Sequence, residues 1–184
     1  MSRCCVLLAT GFEEIEAVTV IDVLRRAGVD VVTLGLDGLE VTGSHDITLR
    51  ADALLADGAG QDWDVVVLPG GMPGAATLRD DARVQALVRS QHEGGGELAA
   101  ICAAPIALGA AGILQGRTAT SYPGFGDQLT GATLSEERVV LDDDQRITTS
   151  RGPGTALEFA LSLVEQLVDG DAAASLADAM LVRR

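Results

Sequence analysis

Lysine is absent from this chain of 184 residues, so apart from two histidines every basic side chain is an arginine. The 13 basic residues face 27 acidic ones, and the formal net charge is −14. A surface this acidic repels the phosphates of nucleic acids and of anionic membranes. We therefore expect no stable binding to nucleic acid or to a membrane surface. No apolar stretch approaches the length of a membrane span.

Cysteine and histidine are both scarce. The chain has three cysteines, an odd number, and its N-terminal apolar run is too short for a secretory leader. Both observations disfavour a disulfide framework, and we expect reduced thiols in the cytoplasm. Neighbours on a strand point to opposite faces, so Cys4 and Cys5 are better explained as strand filler than as a soft-metal or redox pair. Neither His45 nor His92 follows Cys102, which disfavours a locally built Cys-His protease dyad.

Apolar strand patterns alternate with helical patterns along the whole chain, without a repeat or a linker. This alternation predicts an α/β fold with a doubly wound, mostly parallel sheet and helices on both faces. Two small added hairpins are predicted at residues 39–50, with His45 in the turn, and at residues 138–149, where we interpret the acidic turn 142–144 as solvated. One helix is predicted over residues 78–93, and the length suits one domain.

The most distinctive stretch runs from Glu97 to Gly109, where an apolar run of small residues meets Cys102 and a helical pattern follows at once. Pro105 lies in the first turn of that pattern, where a missing N–H does no harm. The stretch therefore predicts a strand, a sharp turn at Cys102 and a helix. Unpaired N–H groups at a helix N-terminus favour an anion and would lower the pKa of the thiol. A buried cysteine that merely fills the core is the alternative, which the local pattern leaves open.

Three loops follow the carboxyl ends of predicted strands, which is where doubly wound sheets bind ligands. They comprise residues 11–16, residues 69–74 and Cys102. The amides of Gly71 and Ala103 are candidate oxyanion donors, and an early glutamate one turn inside the first helix could donate a proton to the thiol. A solvated first turn that suits the helix dipole is the alternative for these glutamates. Neither a G-x-G-x-x-G fingerprint nor a Walker lysine is present, so we predict no nucleotide cofactor.

Four motifs, in this order, resemble the ThiJ/PfpI superfamily and within it the branch of the protein deglycases. They are Gly11–Glu16, Asp64–Gly71, Ala100–Pro105 and Thr149–Thr155. The resemblance covers essentially the whole chain. It implies a flavodoxin-like fold, a single class I glutamine amidotransferase-like domain over residues 1–184, and a homodimer whose active site lies near the interface.

The resemblance also implies roles for individual residues. Cys102 corresponds to the reactive nucleophile and Glu16 to a protonated acid that is hydrogen-bonded to its sulfur. The implied oxyanion or substrate-binding pocket consists of Gly70, Gly71 and Ala103. Glu14 and Arg151 correspond to further pocket positions that look structural. Two more pocket positions carry residues that differ from those of the family. Tyr122 stands where the family has a histidine near the cysteine, and His45 stands where it has an arginine from the neighbouring subunit.

The implied activity is that of a cofactor-independent glyoxalase or protein deglycase, which needs neither a metal nor an organic cofactor. Its substrate would be a small 2-oxoaldehyde such as methylglyoxal, or its adducts on proteins. The alternative is an oxidative-stress sensor or chaperone that works through oxidation of Cys102. An older association of the superfamily with thiazole biosynthesis finds no mechanism in these residues.

Overall fold

The computed structural model describes residues 1–142 and 146–182. Within these ranges the strands, numbered in chain order, are β1 Arg3–Leu8, β2 Asp30–Gly35, β3 Glu40–Thr42, β4 Thr48–Arg50, β5 Ala53–Leu54, β6 Val65–Leu68, β7 Glu97–Ile101, β8 Thr118–Ala119, β9 Thr133–Leu134, β10 Val139–Leu141 and β11 Ile147–Ser150. The helices are α1 Glu14–Arg26, α2 Leu55–Gly58, α3 Gly74–Asp80, α4 Ala82–Glu93, α5 Pro105–Ala110, α6 Ala156–Leu167 and α7 Gly170–Ala179.

Seven strands form the central sheet in the order β10-β11-β7-β6-β1-β2-β5. All neighbouring pairs are parallel except β10 with β11, which form a hairpin at one edge. Strand β2 pairs with one edge of β1, and β6 pairs with the other edge. The direction in which successive strands are added to the sheet therefore reverses at β1. This reversal opens a crevice at the carboxyl ends of β1 and β6. The predicted α/β class and mostly parallel sheet are confirmed.

The central strands are continuous apolar runs because both faces of the sheet are covered. All four residues of β6 are buried, as are residues 4–8 of β1. Cys4 and Cys5 are both fully buried in β1, and this burial raises the pKa of each thiol. Their predicted role as strand filler agrees with this environment, since a buried thiol at neutral pH stays protonated.

The helices pack in two groups. Helices α1, α6 and α7 are in contact in one group, and α3, α4 and α5 are in contact in the other. Among residues 1–142 and 146–182, no helix has both the length and the apolar composition that a membrane crossing requires. The predicted hairpin at residues 39–50 forms as the β3–β4 pair, separate from the central sheet.

One prediction about local structure is wrong. The single helix expected over residues 78–93 is two helices, α3 and α4, and the first begins at Gly74. Asp81 separates them because its backbone is extended and its side chain accepts the N–H groups of Arg83 and Val84, which caps α4. Residues 117–121 contribute only a short strand, β8, which pairs with β9 in a separate two-stranded sheet.

The acidic turn of the β10–β11 hairpin is not simply solvated. The side chain of Asp142 is buried, pairs with Arg117, and accepts the N–H groups of Arg146 at 2.9 Å and Ile147 at 3.0 Å. These contacts fix the start of β11, so the interpretation as a solvated turn is wrong for this residue. The other two acids of the predicted turn, Asp143 and Asp144, lie outside the described residues.

Candidate active site

Cys102 lies at a sharp turn between β7 and α5, as the strand–turn–helix prediction requires. Its φ angle is +64°, in the left-handed region that a non-glycine residue enters at a cost of about 1–2 kcal/mol. The backbone fixes this conformation from both sides. The N–H of Cys102 donates to the Ser150 carbonyl at 2.9 Å, and its carbonyl accepts the N–H of Tyr122 at 2.8 Å. The residue is 9% exposed, so Cys102 is largely buried and keeps a small contact with solvent at the crevice.

Glu16 lies in the first turn of α1 and is completely buried. Its Oε2 accepts the N–H of Gly70 at 2.8 Å, whereas its buried Oε1 receives no hydrogen bond from the described residues. Burial raises the pKa of Glu16 to about 7, and the charge of Glu13 adds to the rise, while the Gly70 amide and the Cys102 thiol lower it. Glu16 is therefore poised to hold or release a proton near neutral pH.

Gly70 brings the carboxyl group and the thiol together because it has no side chain. A Cβ at this position would lie 2.6 Å from the Cβ of Cys102 and 2.6 Å from Oε2 of Glu16. Both side chains thus border the space that a larger residue would fill. This explains physically why a glycine follows Pro69 at the end of β6.

Burial governs the acidity of the Cys102 thiol. Burial raises the pKa of Cys102 to about 12, and a charged Glu16 acts in the same direction. The amides of Gly71 and Ala103 oppose this rise without cancelling it. The prediction that the turn and helix N-terminus lower this pKa is therefore wrong, because the loss of water outweighs the amides. A proton on Glu16 removes the neighbouring charge, so the two groups titrate as a pair.

The three loops meet at one crevice, as the fold rule predicts. The N–H of Glu13 donates to the Gly70 carbonyl at 2.9 Å, and the N–H of Gly74 donates to the Gly11 carbonyl at 3.3 Å. Gly71 has a φ angle of +86°, and a Cβ there would lie 2.6 Å from the Gly11 carbonyl oxygen. This close packing holds the amide of Gly71 at the thiol, where it and the amide of Ala103 remain the predicted oxyanion donors.

The early glutamates are buried, so the alternative of a solvated first turn is wrong. Glu13 is 9% and Glu14 is 5% exposed. Although burial raises the pKa of Glu14, hydrogen bonds from His45 and Ile47 lower it to about 2. His45 lies in the hairpin turn of the same chain, and its bond to Glu14 raises the pKa of the imidazole. Glu13, Glu14 and His45 place ligand atoms within 4.8 Å of one another, a group that could hold a metal ion.

Tyr122 and Arg151 border the site through their backbones. The Tyr122 amide bonds the Cys102 carbonyl, and its ring lies over Gly152, which has no side chain to displace it. The ring is half exposed, with 47% of the residue accessible. Arg151 follows the strand residue that binds the Cys102 amide, and its side chain donates to the Glu136 carbonyl at 3.1 Å. The predicted pocket role of Arg151 is therefore not supported by a side-chain contact to Cys102.

Sequence reasoning did not identify Ser150, whose carbonyl holds the Cys102 turn, or Ser44, whose hydroxyl contacts both Glu13 and Glu14. Both contacts are long-range, and neither residue has a distinctive local pattern.

A cavity of about 520 Å³ lies at the opposite end of the sheet from Cys102, at the amino ends of β6 and β7 around Trp63 and Glu97. We nevertheless assign the candidate active site to the crevice at Cys102, because a nucleophile and a poised acid meet there.

Comparison with known sequences shows the family to which the chain belongs. The sequence profile of the DJ-1/PfpI family matches residues 2–166. The chain belongs to the DJ-1/PfpI family. Protein dj-1beta of Drosophila melanogaster is 43% identical over 178 residues, which cover 96% of this chain and 95% of the relative. The resemblance to this superfamily, drawn from four motifs, is thereby confirmed.

Two further DJ-1/PfpI relatives bear on fold and function. The solved structure of oxidized Toxoplasma gondii DJ-1 superimposes with a TM-score of 0.95 at 39% identity. The match covers 100% of both chains, which confirms the fold. The glutathione-independent glyoxalase DJR-1.2 of Caenorhabditis elegans is 37% identical over 157 residues, covering 84% of this chain and 82% of the relative. The family therefore includes a protein named as an enzyme that acts without glutathione.

Proposed function

We propose that this chain is a cofactor-independent glyoxalase and protein deglycase that converts small 2-oxoaldehydes, free or as adducts, to 2-hydroxy acids. The proposal rests chiefly on the pairing of the Cys102 thiol with the fully buried Glu16 carboxyl across Gly70. A nucleophile and a proton carrier of near-neutral pKa are the groups that this reaction needs. The glyoxalase relative, at 37% identity, supports the same reaction class.

The reaction on methylglyoxal balances without an external oxidant or reductant. The Cys102 sulfur adds to the aldehyde carbon, and the thiol proton passes through Glu16 to the aldehyde oxygen, which gives a hemithioacetal. Glu16 then removes the proton from that carbon and returns one to the neighbouring ketone carbon, while the hydroxyl proton moves to the former ketone oxygen. The first carbon is oxidised and the second reduced, which leaves a thioester of lactate. Water hydrolyses the thioester and releases lactate and the free thiol.

The surroundings of the thiol suit the charges that develop in these steps. The amides of Gly71 and Ala103 reach the Cys102 sulfur and can stabilise an oxyanion on the adjacent carbon. Since burial keeps Cys102 protonated at rest, a base must take the proton as the sulfur attacks. Glu16, with its pKa near 7, is the group beside the thiol that can do so. Tyr122 takes the place of the family histidine at the crevice, so the proposal assigns proton transfer to Glu16.

Steady-state kinetics with methylglyoxal, free and as its cysteine hemithioacetal, test the proposal. We expect Cys102→Ala to abolish lactate formation and Glu16→Gln to reduce kcat by about 10²–10⁴-fold, the usual value of general acid–base catalysis. Cys5→Ala and the exposed Glu40→Gln are matched controls that retain activity. Unchanged turnover in Cys102→Ala would show that the reaction uses another nucleophile.

We also propose that the chain acts as a homodimer through helix α1 and the β3–β4 hairpin. Ile15 and Ile47 are 57% and 54% exposed, and Val18 is 44% exposed. Val18 and Leu49 line a groove of about 270 Å³ between the helix and the hairpin. Exposed apolar side chains on adjoining elements favour a protein contact. Such a contact would place the interface beside the first turn of α1, which carries Glu16.

A redox-sensing role of Cys102 is the second candidate. Cys4 and Cys5 are fully buried, whereas Cys102 is 9% exposed, so an oxidant reaches Cys102 first. Two molecules of hydrogen peroxide convert the thiol to a sulfinic acid and release two molecules of water. A protonated Glu16 can then donate a hydrogen bond to one of the sulfinic oxygens. Mass spectrometry after mild peroxide should show oxygen on Cys102 before the other two. Equal oxidation of all three would remove this candidate.

A further inference from the structure

We propose that Glu13, Glu14 and His45 form a binding site for a divalent transition-metal ion, and that Zn²⁺ is the ion that the site fits. The carboxylates lie at the start of α1, and the imidazole lies in the turn of the β3–β4 hairpin. The proposal does not depend on the reaction at Cys102, because it concerns a separate group of side chains. An ion here would fasten the hairpin to the helix that carries Glu16.

The distances between the donor atoms agree with a tetrahedral zinc site. His45 Nδ1 lies 2.9 Å from Glu14 Oε2 and 3.6 Å from Glu13 Oε2. Ser44 Oγ lies 3.3 Å from each of these two carboxylate oxygens and 3.1 Å from His45 Nδ1. Ligands at about 2.0–2.1 Å from a tetrahedral ion are about 3.3 Å from one another. The measured separations bracket this value, so an ion needs little rearrangement, with Ser44 or a water in the fourth position.

The backbone holds the carboxylate of Glu14 in position. Its Oε1 accepts the N–H groups of His45 at 2.6 Å and Ile47 at 3.4 Å, which leaves Oε2 to face the imidazole. Outer partners that orient ligands in this way are typical of metal sites. Gly43 leaves the necessary space, because a Cβ there would lie 2.6 Å from Glu14 Cγ and closer still to the carboxylate.

The hairpin turn is also fixed against the loop that precedes α1. The N–H of Gly11 donates to the Thr42 carbonyl at 2.8 Å, and the N–H of Ser44 donates to the Phe12 carbonyl at 2.8 Å. These two backbone bonds, one on each side of the turn, set the position of the imidazole relative to the carboxylates. The backbone therefore fixes where the hairpin turn that carries His45 lies relative to the start of α1.

Charge and access both favour a cation at this place. The side chains of the two adjacent glutamates are at most 12% exposed, and both pair with His45, which is charged only when protonated. Buried charges in proteins are paired or coordinate metals. Zn²⁺ would replace the proton between imidazole and carboxylate and supply a second positive charge. The imidazole nitrogen favours Zn²⁺ over Ca²⁺ or Mg²⁺, which prefer oxygen ligands. The His45 side chain is 68% exposed in the single chain, so an ion can enter from solvent before two chains associate.

Isothermal titration of the metal-free chain with Zn²⁺ tests the proposal. The Cys102→Ser variant serves as the starting protein, so that the reactive thiol contributes no zinc ligand. We expect one Zn²⁺ per chain, and we expect His45→Ala to weaken binding by at least about tenfold, the lower bound for loss of a supporting contact at a metal site. Because the His45 side chain is largely exposed, this variant should fold. His92→Ala, which removes the other histidine of the chain, is the matched control that retains the affinity.

Two further measurements separate ligation from folding. Co²⁺ in place of Zn²⁺ should give the visible absorption of a tetrahedral site in the starting protein and lose it in Glu14→Gln. Zn²⁺ should raise the melting temperature of the starting protein and leave that of His45→Ala unchanged, because an ion stabilises only a fold that binds it. Equal Zn²⁺ affinity in His45→Ala and His92→Ala, or absence of Zn²⁺ binding to the starting protein, overturns the proposal.

Discussion

The pH dependence of stability should reveal the buried carboxyl of Glu16. Its pKa is about 7 in the fold and about 4.5 in an unfolded chain, a difference of 2.5 units. At about 1.36 kcal/mol per unit, the fold favours the protonated carboxyl by about 3 kcal/mol. The folded state therefore binds more protons than the unfolded state between these two pKa values. Stability from this group is fully present below pH 4.5 and is lost as pH rises through 7.

Replacement of Glu16 by glutamine removes this titration and keeps the shape of the side chain. We expect the free energy of unfolding of Glu16→Gln, relative to wild type, to rise by about 2.5 kcal/mol between pH 5 and pH 8. Urea unfolding at four pH values in this range gives the difference directly. Glu40→Gln, at an exposed position, is the control and should show a constant difference. A constant difference for Glu16→Gln as well would refute the raised pKa.

Three other predictions concern packing, assembly and the β10–β11 hairpin. Gly70→Ala should lower kcat/KM by at least about tenfold, because the new Cβ would lie 2.6 Å from both Cys102 and Glu16. Gly60→Ala is the control and should match wild type in the same assay, because open space surrounds that position. Ile15→Arg should convert a dimer to monomers in sedimentation velocity, while Leu157→Arg on α6 should not. Asp142→Asn breaks the buried ion pair with Arg117 and should lower the free energy of unfolding by about 3–5 kcal/mol in urea denaturation. A loss below about 1 kcal/mol would contradict this prediction.

Much of the fold was predictable because its strands and turns carry local signals. The continuous apolar run of β6 and the small-residue run before Cys102 both predict buried strands, and Pro105 marks the helix that follows. The split between α3 and α4 was missed because Asp81 resembles an ordinary helix-surface residue until its side chain is seen to cap α4. Periodicity alone does not distinguish these two cases.

The candidate site was predictable in its residues but not in its electrostatics. The motifs indicate Cys102 and Glu16, and the structure brings them together at Gly70. The direction of the Cys102 pKa depends on how much water burial removes, and a sequence does not reveal this quantity. The contacts of His45 with Glu14 were equally hidden, because they join residues 31 positions apart through the docking of a hairpin. Burial and long-range contact therefore account for most of what sequence reasoning missed.

We propose above that the Cys102 thiol converts a 2-oxoaldehyde to a 2-hydroxy acid. The most direct measurement is ¹³C NMR of the products formed from ¹³C-labelled methylglyoxal by the wild-type chain and by Cys102→Ala at equal concentration. We expect labelled lactate with the wild-type chain and none above the uncatalysed reaction with the variant. Lactate from both proteins at the same rate, or from neither, would contradict it.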